Sequence, residues 1–245
     1  MLKLKALLLT QGMHGMISQV EGLAKALGLS FRHETIELNN LWNFFPPKFT
    51  PVFEGILKKK FICDAKVIIS CGRKSVVPSI LLKRRFKKEI FNIHIQDPKV
   101  NLNNFDSVIC PEHDDLDGEN VTKTKGAIHY LTNAEIQKNI NYLNPKNGDK
   151  KAYLSSLGLA GTIIVTCDST SMISEAAITG KPVYVAQMSN KKSIHRFEKF
   201  YKLFKDLGII RDLDDKIEHW TYNGLDEVNH AASIVKEKMK KNGII

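Results

Sequence analysis

Short apolar runs, each followed by a turn and then by a stretch of helical period, set the pattern of this chain. Residues 4–10 (LKALLLT), Val67–Ser70, Phe91–Ile95 and Ser107–Cys110 are largely apolar stretches of strand length. Such runs suit strands buried on both faces of a parallel sheet. Phe31–Leu38 alternates more loosely and is read as a second strand. Between the first two, Met16–Leu27 sets Ile17, Val20, Leu23, Ala24 and Leu27 on one helical face, and Gly28 ends the helix. A helix from Val76 to about Lys88 follows the third strand. The repetition predicts an α/β fold with a doubly wound, parallel, Rossmann-like sheet. Residues 39–51, NNLWNFFPPKFTP, break the rhythm. Trp42, Phe44, Phe45 and Phe49 in this loop either cover a hydrophobic edge or form an exposed patch that docks on a membrane or a partner.

In the second half, residues 116–132 read as the connection between two domains. Asn133–Tyr142 and Lys151–Leu157 read as short helices around a polar linker, 143–150. Residues 161–188, GTIIVTCDSTSMISEAAITGKPVYVAQM, read as strand, turn, helix and strand. Thr162–Thr166 is the first strand. Asp168 and Ser169 are N-cap candidates, and Met172, Ile173, Ala176 and Ala177 face a sheet. Gly180 and Pro182 stop the helix, and Val183–Val185 opens the next strand. After SNKKS (189–193), a helix over Ile194–Leu207 precedes a small strand, Ile209–Arg211. A terminal helix, Asp226–Lys241, is placed to pack back across the first half. The expected domains are 1–130, a full Rossmann-like unit, and 131–245, a reduced second α/β unit with the terminal helix.

No apolar run approaches the ~20 residues of a membrane-spanning helix, and the apolar stretch at the start is too short for a signal peptide core. A cytoplasmic protein is expected. Cys63, Cys71, Cys110 and Cys167 lack metal-ligand spacing, so no metal site is expected and buried free thiols are. The net charge of +10 changes the picture more. Its excess lies in Lys58–Lys60, in Lys83, Arg84, Arg85, Lys87 and Lys88, and in Lys236, Lys238, Lys240 and Lys241. Phosphorylated ligands, an anionic membrane surface and nucleic acid all suit such a charge, but no nucleic-acid motif accompanies it. Exposed helix faces of a Lys-rich protein look the same.

Candidate chemistry falls where strands end. The turn 11–15, QGMHG, carries Gly12, His14 and Gly15. The turn 71–75, CGRKS, carries Gly72, Arg73 and Lys74. Gln96 follows the fourth strand, and Glu112, His113 and Asp114 follow the fifth. Open parallel sheets bind ligands at this edge, and His14, His113 or Asp114 is placed to act as a general base. Loop capping and salt bridging account for the same residues equally simply. In 161–188, Ser169, Thr170 and Ser171 sit at a helix start, where free N–H groups and the helix dipole favour a diphosphate. Glu175 follows where a carboxylate accepts from a ribose. The alternative is a capped crossover helix with Glu175 on its solvated side.

Five stretches together, LLTQGMHGMISQVEGLAKALG, VIISCGRKSVVPSILLKR, IHIQDPKVNLNNFDSVICPEHD, ENVTKTKGAIHYLT and VTCDSTSMISEAAITGKPVYV, resemble the elongated-mitochondria type of mitochondrial fission protein, a family best populated in bacteria. The resemblance runs through nearly the whole chain in order. It implies a GT-B-like fold, as in glycosyltransferases with two Rossmann-like domains. It also implies that Ser169, Thr170, Ser171 and Glu175 match the place that holds the diphosphate and ribose of a nucleotide sugar, of UDP type, and that the QGMHG, CGR and PEHD turns face the cleft from the acceptor side. In the transfer scheme this suggests, basic side chains such as Arg73 or Lys74 neutralise the leaving diphosphate. The implied function is nucleotide-sugar binding, with or without glycosyl transfer and without a cofactor. The runner-up is a non-enzymatic adaptor, peripheral at an anionic membrane or on a protein partner. Plant members are associated with recruiting a dynamin-like protein to mitochondria, a role not carried over to this chain. The chain departs from the GT-B pattern between Thr132 and Gly161, where no strand or glycine-rich turn opens the second domain. That domain is expected to lack one or two βαβ units, of ~30 residues each. It would then hold the diphosphate from one side only, and its small sheet would either pack tightly on the first domain or pair its exposed edge with another copy in a homodimer.

Overall fold

The computed structural model describes residues 4–140, 150–187, 197–214 and 216–245. The chain divides into two units. Unit 1 takes the residues up to Thr124, then Ile128–Tyr130 and Glu227–Ile245; unit 2 takes Lys125–Ala127 and Leu131–Asp226.

Unit 1 is built on six parallel strands: β1 (Lys5–Thr10), β2 (Ser30–Thr35), β3 (Val67–Cys71), β4 (Phe91–Ile95), β5 (Ser107–Pro111) and β6 (Val121–Thr124). Their spatial order is β2-β1-β3-β4-β5-β6, and every pairing is parallel. The strand period of two sends alternate side chains to opposite faces. Leu8, Ile69 and Ile93 join one apolar cluster, together with Val20 and Leu23 of α1 (His14–Ala26) and Val235 and Met239 of the terminal helix. Leu7, Leu9 and Ile68 join another, with Val77 and Leu82 of α3 (Arg73–Phe86) and Ile36, Leu38 and Ile56 of the segment before β3. Helices thus cover both faces. Each fully buried Leu or Ile contributes about 1.5–3 kcal/mol, which explains why β3 and β4 are buried from end to end.

The expected α/β class and parallel sheet are observed, and four differences have physical reasons. The stretch 116–132, read as a connection, contains β6. Its VTKT buries Thr122 and Thr124, so the apolar signal is missing although the branched side chains suit a strand. The loop 39–51 contains α2 (Asn40–Phe44), a single short turn of helix. The first helix starts at His14 rather than Met16, and the second at Arg73 rather than Val76. Polar residues in a first turn carry no periodic signal. Pro78 lies within α3.

Unit 2 contains α4 (Asn133–Asn139), α5 (Lys150–Leu159), β7 (Ile163–Thr166), α6 (Thr170–Ala177), β8 (Val183–Ala186), α7 (Glu198–Asp206) and β9 (Ile210–Asp212). Its sheet, in order β7-β8-β9, is also parallel. Val165, Ile173, Val183, Phe200, Phe204 and Ile210 form its core. Residues 143–149 of the expected linker 143–150, the stretch SNKKS and the expected start of the helix at Ile194 lie outside the described residues, and Lys150 opens α5. The terminal helix, α8 (Glu227–Lys241), packs with α1 and β6 in unit 1. Cys71, Cys110 and Cys167 are buried, and all four cysteines are free thiols. Among the described residues no helix is long and apolar enough to cross a membrane.

Candidate functional site

Because the strands of unit 1 are parallel, their carboxyl ends share one edge. The order reverses between β1 and β3, the place where open sheets of this order part their crossovers and leave a crevice. The Gly12 turn after β1 and the Gly72 turn after β3 meet there. Gly72 has φ 88° and ψ 161°, a combination essentially confined to glycine. A Cβ on it would lie 2.5 Å from Met16 Sδ and 2.6 Å from Gln11 Nε2. Gly12, with φ 84°, donates its N–H to Thr10 Oγ1 at 3.0 Å. Thr10 Oγ1 also meets His33 Nε2 at 2.8 Å. Neither α1 nor α3 has a side-chain cap. His14 opens α1 and is exposed; Gly15 follows it, half-buried. Arg73 opens α3, but its guanidinium donates to the carbonyls of Asn43 (2.6 Å) and Phe45 (3.2 Å), tying down the aromatic loop. Lys74 is half-buried beside it.

The second group stands further along the same edge. Gln96 has φ 83°, uncommon for a residue with a Cβ. Glu112–Asp114 forms a single 3-10 turn, closed by Asp115 in the left-handed region. Cys110 Sγ donates to Asp114 Oδ2 at 3.4 Å, and His113 Nε2 lies 3.8 Å from Asp114 Oδ1. Burial lowers the pKa of His113, with Asp114 opposing the shift, so the neutral, proton-accepting form is favoured. β1 and β5 are separated by β3 and β4, about 14 Å at the usual strand spacing. His14 and the His113–Asp114 pair therefore belong to separate places on the edge.

In unit 2, the strand–turn–helix stretch forms as its sequence implies. Ser169 is the N-cap of α6 and accepts from the Met172 N–H at 3.3 Å. The Thr170 and Ser171 N–H groups lie in the first turn, where no intrahelical acceptor exists. Ser174 is buried, donates to Thr170 O and accepts from the Ala127 N–H at 3.0 Å. Glu175 is half-buried, and Tyr153 of α5 donates its hydroxyl to it at 2.8 Å. Tyr153 was not foreseen; it lies 22 residues from Glu175, with no motif to connect them. Lys181 donates to the carbonyls of Leu157 and Gly158 at the end of α5, and burial lowers its pKa.

The model of the family described as "Mitochondrial fission ELM1" matches residues 14–149 and 137–239. The chain belongs to the ELM1 family. A mitochondrial fission protein ELM1 of Arabidopsis thaliana is 23% identical over 277 residues, covering 72% of this chain and 64% of that protein. An uncharacterised protein of Rickettsia prowazekii, RP120, is 34% identical over 108 residues, covering 43% of this chain and 28% of its own length. The chain thus spans less than two thirds of the length of these relatives. Because 72% of a 245-residue chain meets 277 aligned residues, it is also the shorter partner within the aligned region. For an ELM1-family chain the difference exceeds one βαβ unit of about 30 residues.

Proposed function

We propose that this ELM1-family chain is a GT-B-like protein that binds a nucleotide sugar at the start of α6. The observation that carries the reading is the arrangement of Ser169, Thr170 and Ser171 at a helix N-terminus, at the carboxyl end of a parallel strand, with the Glu175 carboxylate oriented by Tyr153. A diphosphate suits the first turn, where N–H groups lack intrahelical acceptors. A ribose suits the carboxylate. Calorimetry with UDP tests the reading. The parent should bind UDP, and Glu175→Ala should weaken binding about tenfold, the scale of a hydrogen bond to a charged group. Absence of UDP binding defeats the nucleotide reading, and equal binding by both proteins removes Glu175 from it. With so short a unit 2, sugar turnover by the purified monomer should stay below about 1 s⁻¹.

A second reading, a peripheral adaptor at an anionic membrane, is favoured by the aromatic loop. Trp42 packs against Phe45 and Phe53, but Phe44 is 83% and Phe49 67% exposed. Lys48 and Lys58–Lys60 are exposed close by in sequence. This reading predicts association with anionic vesicles that salt weakens. Equal binding to neutral and anionic vesicles, or binding to neither, eliminates it.

A further inference from the structure

Residues 96–106, between β4 and β5, are too few for an ordinary helical crossover. They hold only a 3-10 turn, Leu102–Asn104. No helix therefore lies beside α3 there, and a trough of about 620 Å³ opens within unit 1. That volume lies in the range of small-molecule sites, about 300–1,000 Å³. Val77, Ile80 and Arg84 project into it from one face of α3, at helical spacing. Val52 and Val100 add apolar wall on the other sides. The loop wall is fixed by Thr50 Oγ1, which donates to Pro46 O at 3.1 Å.

The charges of the trough are uneven. Lys48, Arg84 and Lys99 line it, with Asp97 as its single carboxylate. Asp97 is already engaged, pairing with the Lys99 ammonium at 2.5 Å and accepting from the Lys99 N–H at 2.8 Å. Lys48 and Arg84 have no ion pair among the described residues. Much of the basic clustering elsewhere is paired: Lys58 with Glu37, Arg85 with Glu54 and Lys83 with Asp106.

We infer that this trough is a binding site for a phosphate monoester, whose phosphate meets Arg84 and Lys48 and whose apolar part lies against Val52, Val77 and Ile80. A guanidinium and an ammonium without partners suit a dianion, and the apolar walls require more than inorganic phosphate. The site stands on unit 1 alone and does not depend on nucleotide binding at α6. The ester could be a soluble metabolite or the headgroup of a lipid, since the chemistry is shared.

The test uses the full chain with phenyl phosphate and inorganic phosphate in calorimetry. In parallel, sedimentation uses phosphatidylcholine vesicles with and without phosphatidic acid. Phenyl phosphate should bind more tightly than inorganic phosphate. Arg84→Gln and Lys48→Gln should each weaken it about tenfold, and Lys59→Gln, outside the trough, should not. Binding to the phosphatidic acid vesicles alone, lost in the same two variants, would support the site and assign it to a lipid headgroup. No binding to either probe, or binding that survives both substitutions, would overturn the inference.

Discussion

The two parallel sheets of this protein obey the same rules with different amounts of chain. In unit 1, β3 and β4 are buried throughout because helices and the long segment before β3 cover both faces. In unit 2, β7 alternates buried and exposed, and Ile164 is 56% exposed. Its core rests on a few large side chains, with the rings of Phe200 and Phe204 only 4.1 Å apart. A three-stranded sheet has little area to spare. Unit 1 concentrates backbone constraint at the carboxyl edge of its sheet, in Gly12, Gly72 and Gln96. Unit 2 concentrates side-chain hydroxyls there instead. A wide sheet can absorb strained turns, whereas a narrow one does better with an ordinary capped helix.

The contrast can be broken most directly at Phe204. Phe204→Ala should cost about 4 kcal/mol, the usual range for a buried ring. Amide exchange should then rise in β7 and β8 while β1 and β3 stay protected. Equal loosening of both sheets would show that the units do not open separately.

Acid should act on unit 1 in the opposite way. His94 of β4 is buried against Ser70 Oγ at 2.8 Å, and desolvation lowers its pKa to about 3. Its native pKa lies below the unfolded value of about 6.5, so its neutral form supports folding above that value. The support drains as pH falls toward 3. Between pH 6 and 4 the loss from this group should be on the order of 2–3 kcal/mol, a little over 1 kcal/mol per pH unit. His33 and His113, also shifted downward, add to the slope. Urea unfolding of His94→Gln across that window should be flatter by about one proton's worth; an unchanged slope would remove His94 from the account.

A smaller effect tests the carboxyl edge of the unit 1 sheet. Gly72→Ala should destabilise by about 2 kcal/mol, from backbone strain and the contact with Met16. Gly28→Ala, with φ 74° but open space around its Cβ, should cost about 1 kcal/mol. If urea midpoints place the two variants together, the close approach of the β1 and β3 turns has no energetic weight.

The sequence made some of this contrast readable. β4 was legible to the residue because Phe91, Ile93 and Ile95 recur at the strand period and Gln96-Asp97-Pro98 ends the run, and α6 because Ser169, Gly180 and Pro182 bracket it. β6 was not, since an edge strand built on Thr122 and Thr124 resembles a polar loop. The edge that gathers His14, Gly72, Gln96 and His113 followed from strand direction alone. The Arg73 contact with the Asn43 and Phe45 carbonyls could not be foreseen, because it depends on how the aromatic loop folds back. The same is true of the trough beside α3, which exists because a short connection leaves a helix out.

The route of the chain bears on how the protein is made. Unit 2 is spliced into unit 1, entered after β6 and left before α8. Val228, Ala231, Val235 and Met239 of α8 join Val20 and Leu23 in one cluster, so during synthesis that face of the first sheet stays wet until α8 has left the ribosome. Unit 2 is complete earlier and can fold first. Because both of its ends are stitched to one frame, its length is nearly free to vary: doubling an intervening loop costs only about 0.6 kcal/mol of closure entropy. A change of length within unit 2 therefore leaves the six-stranded frame of unit 1 closed by the same α8.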